Sequence, residues 1–417
     1  MVKLSIPFGV VRTVFGVWGL TVVEGDRRSR GTRGDEREKS ALWAAAFANG
    51  PNELIDFVLP LWAGAAIGLS ATEVGVLLAA EMALSVVVRP AAGVLADRWD
   101  RRRTAALGAL LYALSCAGYA VAQGAVTAYV AAAVGGAGGA LLWVAVRAIV
   151  GERLAEDSAV FPRLFSARET GAWVAFVVGL SLIGRIGFAG VFWACAAACA
   201  VAAVLLGTAP RRHATGERAT GLGLRVVGRR LRPVLFAVVM TTAAESAVGL
   251  LLLLHLQRGF GLGVVETAWV FLPGAVAMSV GAEHLHRYVL RFGRRRVLVA
   301  ASLAGCAFAV GLAWAPNPCA IAALWVLSGL AWAAVVPVQQ AVVAEASGGQ
   351  VGRGMGVYEA ACLVGALVGS VVAGALYDGA HWRVACLAAA GVILAGAVVV
   401  PRAVRALGVP DVPVEEV

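Results

Sequence analysis

Long apolar runs alternate with short polar connections along most of the chain. Each run has about 20 residues, enough for an α-helix to cross the hydrocarbon core of a bilayer. Twelve such runs cover residues 43–68, 73–96, 104–123, 126–150, 164–184, 188–207, 234–256, 265–283, 297–315, 319–343, 355–376 and 382–401. The pattern predicts an all-α membrane protein with twelve transmembrane helices.

The polar segments divide the chain into domains. The longest connection, 208–233, is basic and proline-containing, and we expect it to be a cytoplasmic loop between six-helix bundles at 41–207 and 234–403. The tail at 404–417 is expected in the cytoplasm. Residues 1–40 join a weakly apolar stretch to a charged one. This favours a cytoplasmic or interfacial segment or an over-extended start, with an additional spanning helix as the alternative.

The composition indicates that a bilayer is the solvent of this chain. Hydrophobic residues make up 60% of the 417 positions and charged residues only 14%, whereas soluble chains are about a quarter charged. The net charge of +10 resides mainly in arginines of the short connections, so nucleic-acid binding is not expected. The 51 glycines favour close packing of membrane helices.

Positive charge alternates between the connections on the two sides of the predicted bundle. Connections after even-numbered runs hold twenty arginines, whereas those after odd-numbered runs hold only Arg185, Arg258 and Arg383. Basic connections stay in the cytoplasm, so both termini are expected there. Arginine greatly outnumbers lysine, as in GC-rich bacterial genomes. We therefore expect a multi-pass protein of the inner (cytoplasmic) membrane.

The two halves of the chain resemble each other at a nearly constant offset. Glu53 corresponds to Glu245 at an offset of 192 positions, and the three arginines at 101–103 correspond to those at 294–296 at an offset of 193. Such a duplication predicts two pseudo-symmetric bundles around a central cavity that is reached from alternate sides.

A short motif follows the second run. It reads Gly-Val-Leu-Ala-Asp-Arg-Trp-Asp-Arg-Arg-Arg over residues 93–103. It resembles the cytoplasmic signature of the major facilitator superfamily, in which a glycine, an Asp-Arg pair and a basic cluster lie between the second and third helices. The resemblance implies a twelve-helix secondary transporter that works by alternating access.

Two further segments extend this resemblance to residues 41–403. Gly-Arg-Arg-Arg at 293–296 is similar to a degenerate second copy of the motif, with Leu290 in place of the aspartate. Gly354-Met-Gly-Val-Tyr358 is similar to the eleventh helix of the family. Both segments lie where a duplicated fold would place them.

The resemblance also implies a cytoplasmic latch, formed by Gly93, Asp97, Arg98, Arg101 and Arg102. The family's aspartate, here Asp97, sits at the N-terminus of the eleventh helix and pairs with neighbouring arginines, which holds the outward-facing state. A carboxylate gains there from free backbone N–H groups and the helix dipole. The alternative is that the arginines only fix the topology, which is the simpler explanation for Arg102.

The first run carries a polar stripe. Asn49, Asn52, Glu53 and Asp56 follow the spacing that places side chains on one face of a helix. Ionisable groups within a membrane face protein or water rather than lipid. Two carboxylates one turn apart repel when both are ionised, which favours protonation of one of them. The stripe predicts a proton and substrate site; a hydrogen-bonded helix contact is the alternative.

Two more carboxylates extend this predicted site. Glu245 in the seventh run mirrors Glu53, so we expect both to face the central cavity, where their charge favours cations or protons. Glu81 lies near the middle of the second run and is a further candidate for the proton site.

Five charged residues near the cytoplasmic ends of the runs are candidates for gate ion pairs: Arg89, Arg147, Glu152, Glu169 and Glu359. Arg147 is expected to pair with Glu152. Glu169 and Glu359, which correspond at an offset of 190, begin their runs, where we expect them to stabilise helix N-termini or to pair with loop arginines. Arg89 is expected to snorkel or to brace the latch.

No metal or cofactor is expected. His284 and His286 lie two residues apart on a predicted helix, so they point to different sides and form no metal site with Glu283. The chain has no phosphate-binding loop of the P-loop type, which argues against ATP as the driving force. The expected partners of this predicted monomer are a small-molecule substrate, protons and the lipid bilayer.

These observations favour proton-coupled efflux of a small amphipathic or cationic molecule. Two departures from the pattern of drug:proton antiporters leave the direction open. No proline lies between Gly171 and Gly184, and Ala132 stands where those exporters often carry an arginine. A proton symporter that takes up a small nutrient is the first alternative. A membrane-embedded enzyme or a sensor is more remote, because no reactive constellation or soluble domain is visible.

Overall fold

Helix is the only regular secondary structure in the described part of the chain. The computed structural model describes residues 33–211, 223–379 and 382–413. The eleven α-helices found there are α1 (Arg33–Ala65), α2 (Ala71–Arg98), α3 (Arg101–Val121), α4 (Ala125–Val150), α5 (Val160–Thr208), α6 (Leu224–Leu254), α7 (Val264–Phe292), α8 (Arg294–Leu312), α9 (Pro318–Ser347), α10 (Val351–Gly379) and α11 (Trp382–Ala406). The predicted all-α class is confirmed.

The helix α5 contains two of the predicted spans. Gly187 interrupts it with a φ of 66° and a ψ of −177°, a backbone conformation that only glycine adopts readily. The fifth and sixth runs therefore follow one another without a loop. Within the described residues, nine helices are long and apolar enough to cross a membrane. The multi-pass architecture is confirmed, and the count of twelve spans is reproduced in part.

Two helices begin earlier than their apolar runs predict. The first, α1, starts at Arg33, and α6 starts at Leu224. The charged start of α1 is stable as helix because it finds partners elsewhere in the fold. Glu38 is buried; its carboxylate contacts Arg153 and lies 2.6 Å from Nη2 of Arg163. Hydropathy alone does not register such partners.

Parts of three predicted segments lie outside the described residues. They are 1–32 of the N-terminal segment, 212–222 of the central connection and 414–417 of the tail. The expectations stated for those stretches stay predictions.

The two halves repeat the same packing. In the first half, α1 packs on α5, α2 on α4, and α3 on both α4 and α5. In the second half, α6 packs on α10, α7 on α9, and α8 on both α9 and α11. The halves meet where α2 packs on α10 and where α5 packs on α7. Two similar bundles therefore face each other, as a duplicated sequence predicts.

The hydrophobic core is continuous at one end of the molecule and divided at the other. We call the continuous end the basic face because of its arginines, which include Arg101, Arg153, Arg294 and Arg353. One cluster there unites both halves, for example Val150 with Met355. Toward the opposite face each half has its own cluster, around Trp62 in the first and Phe308 in the second. The halves are thus joined mainly at the basic face.

Glycines allow the paired helices of each half to touch through their backbones. A Cβ on Gly171 would lie 2.1 Å from the carbonyl oxygen of Ala46, and one on Gly369 would lie 2.0 Å from that of Ala243.

Gly171→Ala and Gly369→Ala should therefore push the helices apart and lower stability by about 1–3 kcal/mol. The measurement is the temperature at which the purified protein loses its monodisperse state. Gly374→Ala, which meets no atom within 4 Å, should leave that temperature unchanged.

Candidate functional site

A central cavity of about 1100 Å³ lies between the two halves. Its walls come from α1, α2, α4 and α5 of the first half and from α6, α7, α9 and α10 of the second. The cavity extends from Arg89 and Arg147, near the basic face, to Arg185, Gln257 and Thr267, toward the opposite face. A space of this size accommodates a small organic molecule.

Three carboxylates line the cavity without a salt bridge to any described residue. They belong to Glu53 of α1, Glu169 of α5 and Glu245 of α6. Among the described residues, none of the three makes a hydrogen bond or an ion pair. Glu245 lies within electrostatic range of the other two and of Arg168. The predicted convergence of Glu53 and Glu245 on one cavity is observed, and Glu169 joins them. Such a group is suited to exchange protons or to bind cations.

Arg168 is the positive charge beside these carboxylates. Its Nη2 and Nε donate to Oδ1 of Asn49 at 3.1 and 3.3 Å, and Nδ2 of Asn49 donates to the Arg168 carbonyl oxygen at 3.0 Å. The guanidinium lies over the ring of Trp143, 4.6 Å from its centroid. Asn49 therefore positions an arginine, which differs from its predicted role in a cavity site. Sequence reasoning missed Arg168 because it stands among loop-like arginines.

The rest of the predicted polar stripe lies outside the cavity lining. Nδ2 of Asn52 donates to Oδ2 of Asp56 at 3.4 Å, and the hydroxyl of Tyr112 donates to Oδ1 of Asn52 at 3.3 Å. On a helix, Asp56 lies about 60° and Asn52 about 100° from Glu53, so Glu53 faces the cavity while these two neighbours turn toward α3. Glu81 also accepts from a tyrosine hydroxyl of α3, at 3.4 Å. The residues predicted to form one site therefore form two clusters, one in the cavity and one beside α3.

A buried charge triad lies at the end of the cavity near the basic face. Nη1 of Arg89 donates to the Glu359 carbonyl oxygen at 3.0 Å and contacts its carboxylate, and Nε donates to Oγ of Ser85 at 3.2 Å. Nη1 of Arg147 lies 2.9 Å from Oε1 of Glu359. Arg89 and Arg147 belong to the first half and Glu359 to the second, so the triad joins the halves.

The predicted pairing of Arg147 with Glu152 is wrong. The two residues are five positions apart, which turns them about 140° from each other on a helix. Glu152 instead contacts Nη2 of Arg37 at 3.2 Å and Nη1 of Arg101 at 3.1 Å. Glu152 therefore belongs to the basic face of the first half, whereas Arg147 points to the partner half.

Glu169 and Glu359 were predicted to lie at helix starts, but they do not. The helix α5 begins at Val160 and α10 begins at Val351, so each glutamate lies about two turns inside its helix. At that depth neither carboxylate reaches the free N–H groups of the first turn. Glu169 faces the cavity and Glu359 joins the triad.

Asp97 lies at the N-terminus of α10, the position that the sequence resemblance implied. Oδ1 accepts from the backbone N–H of Gly352 at 2.8 Å and Oδ2 from that of Arg353 at 3.0 Å. Nη2 of Arg101 lies 3.4 Å from Oδ1. A Cβ on Gly93 would lie 2.5 Å from the Gly352 carbonyl oxygen, so α2 and α10 touch through their backbones. These contacts close the basic face on one side.

The other two arginines of the motif take separate roles. Nη1 of Arg102 donates to the carbonyl oxygen of Ala209 at 2.6 Å, which fixes the chain leaving α5. Arg98 is exposed and makes no hydrogen bond or ion pair within the described residues. Arg98 was predicted to belong to the latch, but it makes no polar contact with the other latch residues in the described part of the chain.

Aromatic and amide side chains complete the cavity wall. The rings of Phe57 and Phe176 pack with centroids 5.0 Å apart. Nε1 of Trp173 donates to Oγ of Ser279 at 3.3 Å, a hydrogen bond between the halves. Gln339 and Gln340 line the same cavity. These amides were missed by sequence reasoning, although two adjacent glutamines inside an apolar run are a usable signal.

The histidines near the basic face contact the protein itself. Nδ1 of His284 is 2.8 Å from the carbonyl oxygen of Val280, and Nε2 of His286 is 2.9 Å from Oγ of Ser158. Across the described ranges, no group of three or more His, Cys, Asp or Glu side chains is arranged to hold a metal ion.

Two facing helical bundles around a central cavity lined by ionisable side chains are typical of a membrane transporter. The chain belongs to the Major Facilitator Superfamily, whose sequence profile matches residues 41–289 and 234–415. Members of this family are transporters of small molecules, often together with protons, so the protein is a transporter rather than an enzyme. No sequence among the curated proteins matches this chain.

Solved structures of transporters share this fold. The human organic anion transporter MFSD10 (TETRAN) is 18% identical with a TM-score of 0.76, and the similarity covers 89% of this chain and 100% of that one. FucP in the outward conformation is 17% identical with a TM-score of 0.71, covering 88% of this chain and 97% of that one. A variant of the E. coli fucose:proton symporter FucP gives a TM-score of 0.68.

Proposed function

We propose that this protein exports a small amphipathic, cationic molecule in exchange for protons, by alternating access. The observation that carries the proposal is the group of unpaired carboxylates, Glu53, Glu169 and Glu245, in a cavity with aromatic walls. A substrate cation and a proton compete for the same carboxylates, because each neutralises the charge that attracts the other. Competition of this kind couples the two fluxes in opposite directions.

The described conformation supports the outward-facing half of such a cycle. The basic face is closed by the contacts of Asp97 with α10, by the triad around Glu359 and by the continuous core. The cores are separate toward the opposite face. In this proposal the arginine-rich connections lie in the cytoplasm, so the cavity opens to the outer side of the inner membrane and both termini of a monomer lie inside.

A proton symporter that takes up a nutrient is the second candidate. It is favoured by the absence of a proline between Gly171 and Gly184, since that stretch departs from the exporter pattern. The fold similarity to a fucose:proton symporter is compatible with either direction. In the symport version the same carboxylates would bind proton and substrate together.

Transport in everted membrane vesicles separates the two candidates. Acidification of the lumen should drive accumulation of an aromatic cation such as ethidium, because protons leave as the cation enters. An uncoupler should abolish the accumulation, and vesicles from cells without the protein provide the baseline. If no cation accumulates under the gradient while right-side-out vesicles take up a nutrient with protons, export is wrong and symport is correct.

A further inference from the structure

The first copy of the basic motif carries its own helix cap. Asp100 precedes α3, and its Oδ1 accepts from the backbone N–H of Arg102 at 3.1 Å. Its Oδ2 lies 3.3 Å from Nε of the same arginine. One carboxylate therefore satisfies a free N–H of the first turn and neutralises a guanidinium. This fixes the connection between α2 and α3.

The second copy lacks that side chain. At the same offset of 193 positions, Gly293 stands where Asp100 would be, with a φ of 84° and no side-chain cap for α8. The carboxylate comes instead from Asp411, beyond the last helix. Its Oδ1 accepts from the backbone N–H of Arg295 at 2.9 Å and lies 3.0 Å from Nε of that arginine. Arg295 corresponds to Arg102, so the two caps bind the same pair of donors.

Gly293 provides the space that the tail carboxylate occupies. A Cβ at this position would lie 2.7 Å from Oδ2 of Asp411, so any other residue would displace the tail. The tail backbone is also bound, because the carbonyl oxygen of Asp411 accepts from the N–H of Arg294 at 2.7 Å. The glycine that removes the cap side chain therefore also makes room for the tail, whose carboxylate caps α8 instead.

A fully buried arginine anchors the tail to the end of α9. Arg294 is 1% exposed, and its Nη1 lies 2.7 Å from Oε2 of Glu345 and donates to the Pro410 carbonyl oxygen at 3.2 Å. In the first half, Arg101 makes the equivalent contact with Glu152. In the second half, the docked tail lies directly beside this contact.

The docked tail reaches the contact between the halves. Pro413 lines a small crevice together with Ser158 and Pro162 of the first half and His286 of the second. Ser158 and His286 are themselves hydrogen-bonded across the halves. This crevice lies where α5 meets α7, which is the counterpart of the α2–α10 contact that Asp97 closes.

We propose that Asp411 replaces the missing cap of the second motif and that the docked tail is a working part of the closed gate at the α5–α7 contact. Asp411 is a positioning residue: it orders the start of α8 and, through Arg295 and Arg294, holds the tail against the first half. This goes beyond the proposed export function and holds for either direction of transport, because it requires only that the halves separate at the basic face.

The charge state of Asp411 suits this role. Partial burial works to raise the pKa of its carboxyl, but the N–H and guanidinium of Arg295 outweigh it and hold the pKa below its ordinary value. A carboxyl with a depressed pKa stabilises the docked state at neutral pH and loses that contribution as pH falls through its folded pKa. The tail is therefore bound throughout the neutral range.

Two measurements on full-length protein in nanodiscs test the proposal with Asp411→Ala. Hydrogen exchange of the amides at 293–297 should accelerate about fivefold, because a lost cap corresponds to about 1 kcal/mol. Alkylation of Cys362, which lines the cavity, by an impermeant reagent should also rise about fivefold when the reagent is applied from the basic face in vesicles. The other six cysteines are replaced for this assay.

Matched variants decide between a gate and a simple cap. Asp411→Glu should restore both readouts toward wild type, and Val412→Ala, at an exposed neighbouring position, should change neither. Unchanged exchange and labelling in Asp411→Ala would overturn the proposal. Faster exchange with unchanged labelling of Cys362 would also overturn it, because the tail would then cap α8 without taking part in the gate. Neither readout requires substrate, so export can fail while this inference stands.

Discussion

Glu359→Gln should destabilise the protein by about 3–5 kcal/mol, because it leaves two buried arginines without their shared counter-charge. Arg89 is 9% exposed, Arg147 4% and Glu359 5%, so water screens little of the repulsion. The measurement is thermal denaturation of the purified protein in detergent. Folded protein should be lost at a markedly lower temperature than in wild type.

A compensating variant tests the cause of that loss. The double variant Arg147→Gln with Glu359→Gln removes one positive and one negative charge, so it should recover a large part of the stability lost in Glu359→Gln. Glu283→Gln, at an exposed position of α7 with no hydrogen bond or ion pair to a described residue, is a suitable control for the loss of a glutamate. If Glu359→Gln denatures at the wild-type temperature, the triad does not hold the halves together.

Glu245→Gln and Glu53→Gln should each abolish proton-driven transport while leaving the protein folded. Neither carboxylate makes a hydrogen bond or an ion pair with a described residue, so a neutral amide of the same shape breaks no contact. A group that carries the transported proton has no substitute, and we expect gradient-driven flux in proteoliposomes to fall at least about tenfold, equivalent to about 1.4 kcal/mol.

Asp56→Asn is the matched comparison for these two variants. Asp56 lies one turn from Glu53 but outside the cavity lining, beside Asn52. It should therefore retain most of the flux. Equal losses in Asp56→Asn and Glu53→Gln would show that the proton pathway runs through the first half rather than through the central cavity. Full activity in both Glu245→Gln and Glu53→Gln would remove the carboxylates from the mechanism.

The apolar runs predict the helices well because the bilayer imposes their length and composition. The ends of helices are harder to predict from the sequence than their centres. The charged residues at the start of α1 are helical because Glu38 finds Arg153 and Arg163, partners more than a hundred positions away. A local sequence pattern does not predict a contact with such a distant partner.

Spacing on one helix predicts which side chains share a face, but not which partner that face meets. The stripe on α1 places Glu53 correctly, while Asp56 diverges by enough to join another cluster. The partner of Arg147 lies in the other half, and only the assembled fold brings them together. The motif at Asp97 was more informative, because its resemblance carries a tertiary contact as well as a local one.

The continuous core at the basic face has a thermodynamic consequence. When the halves part there, apolar side chains such as Val150 and Met355 lose partners and part of that surface becomes wet, whereas the divided clusters at the opposite face approach one another. Wetting apolar surface carries a positive heat capacity change. If the apolar area exposed at the basic face differs from the area buried at the opposite face, the free-energy difference between the two states is a curved function of temperature. The populations of the inward-facing and outward-facing states then shift on warming or cooling.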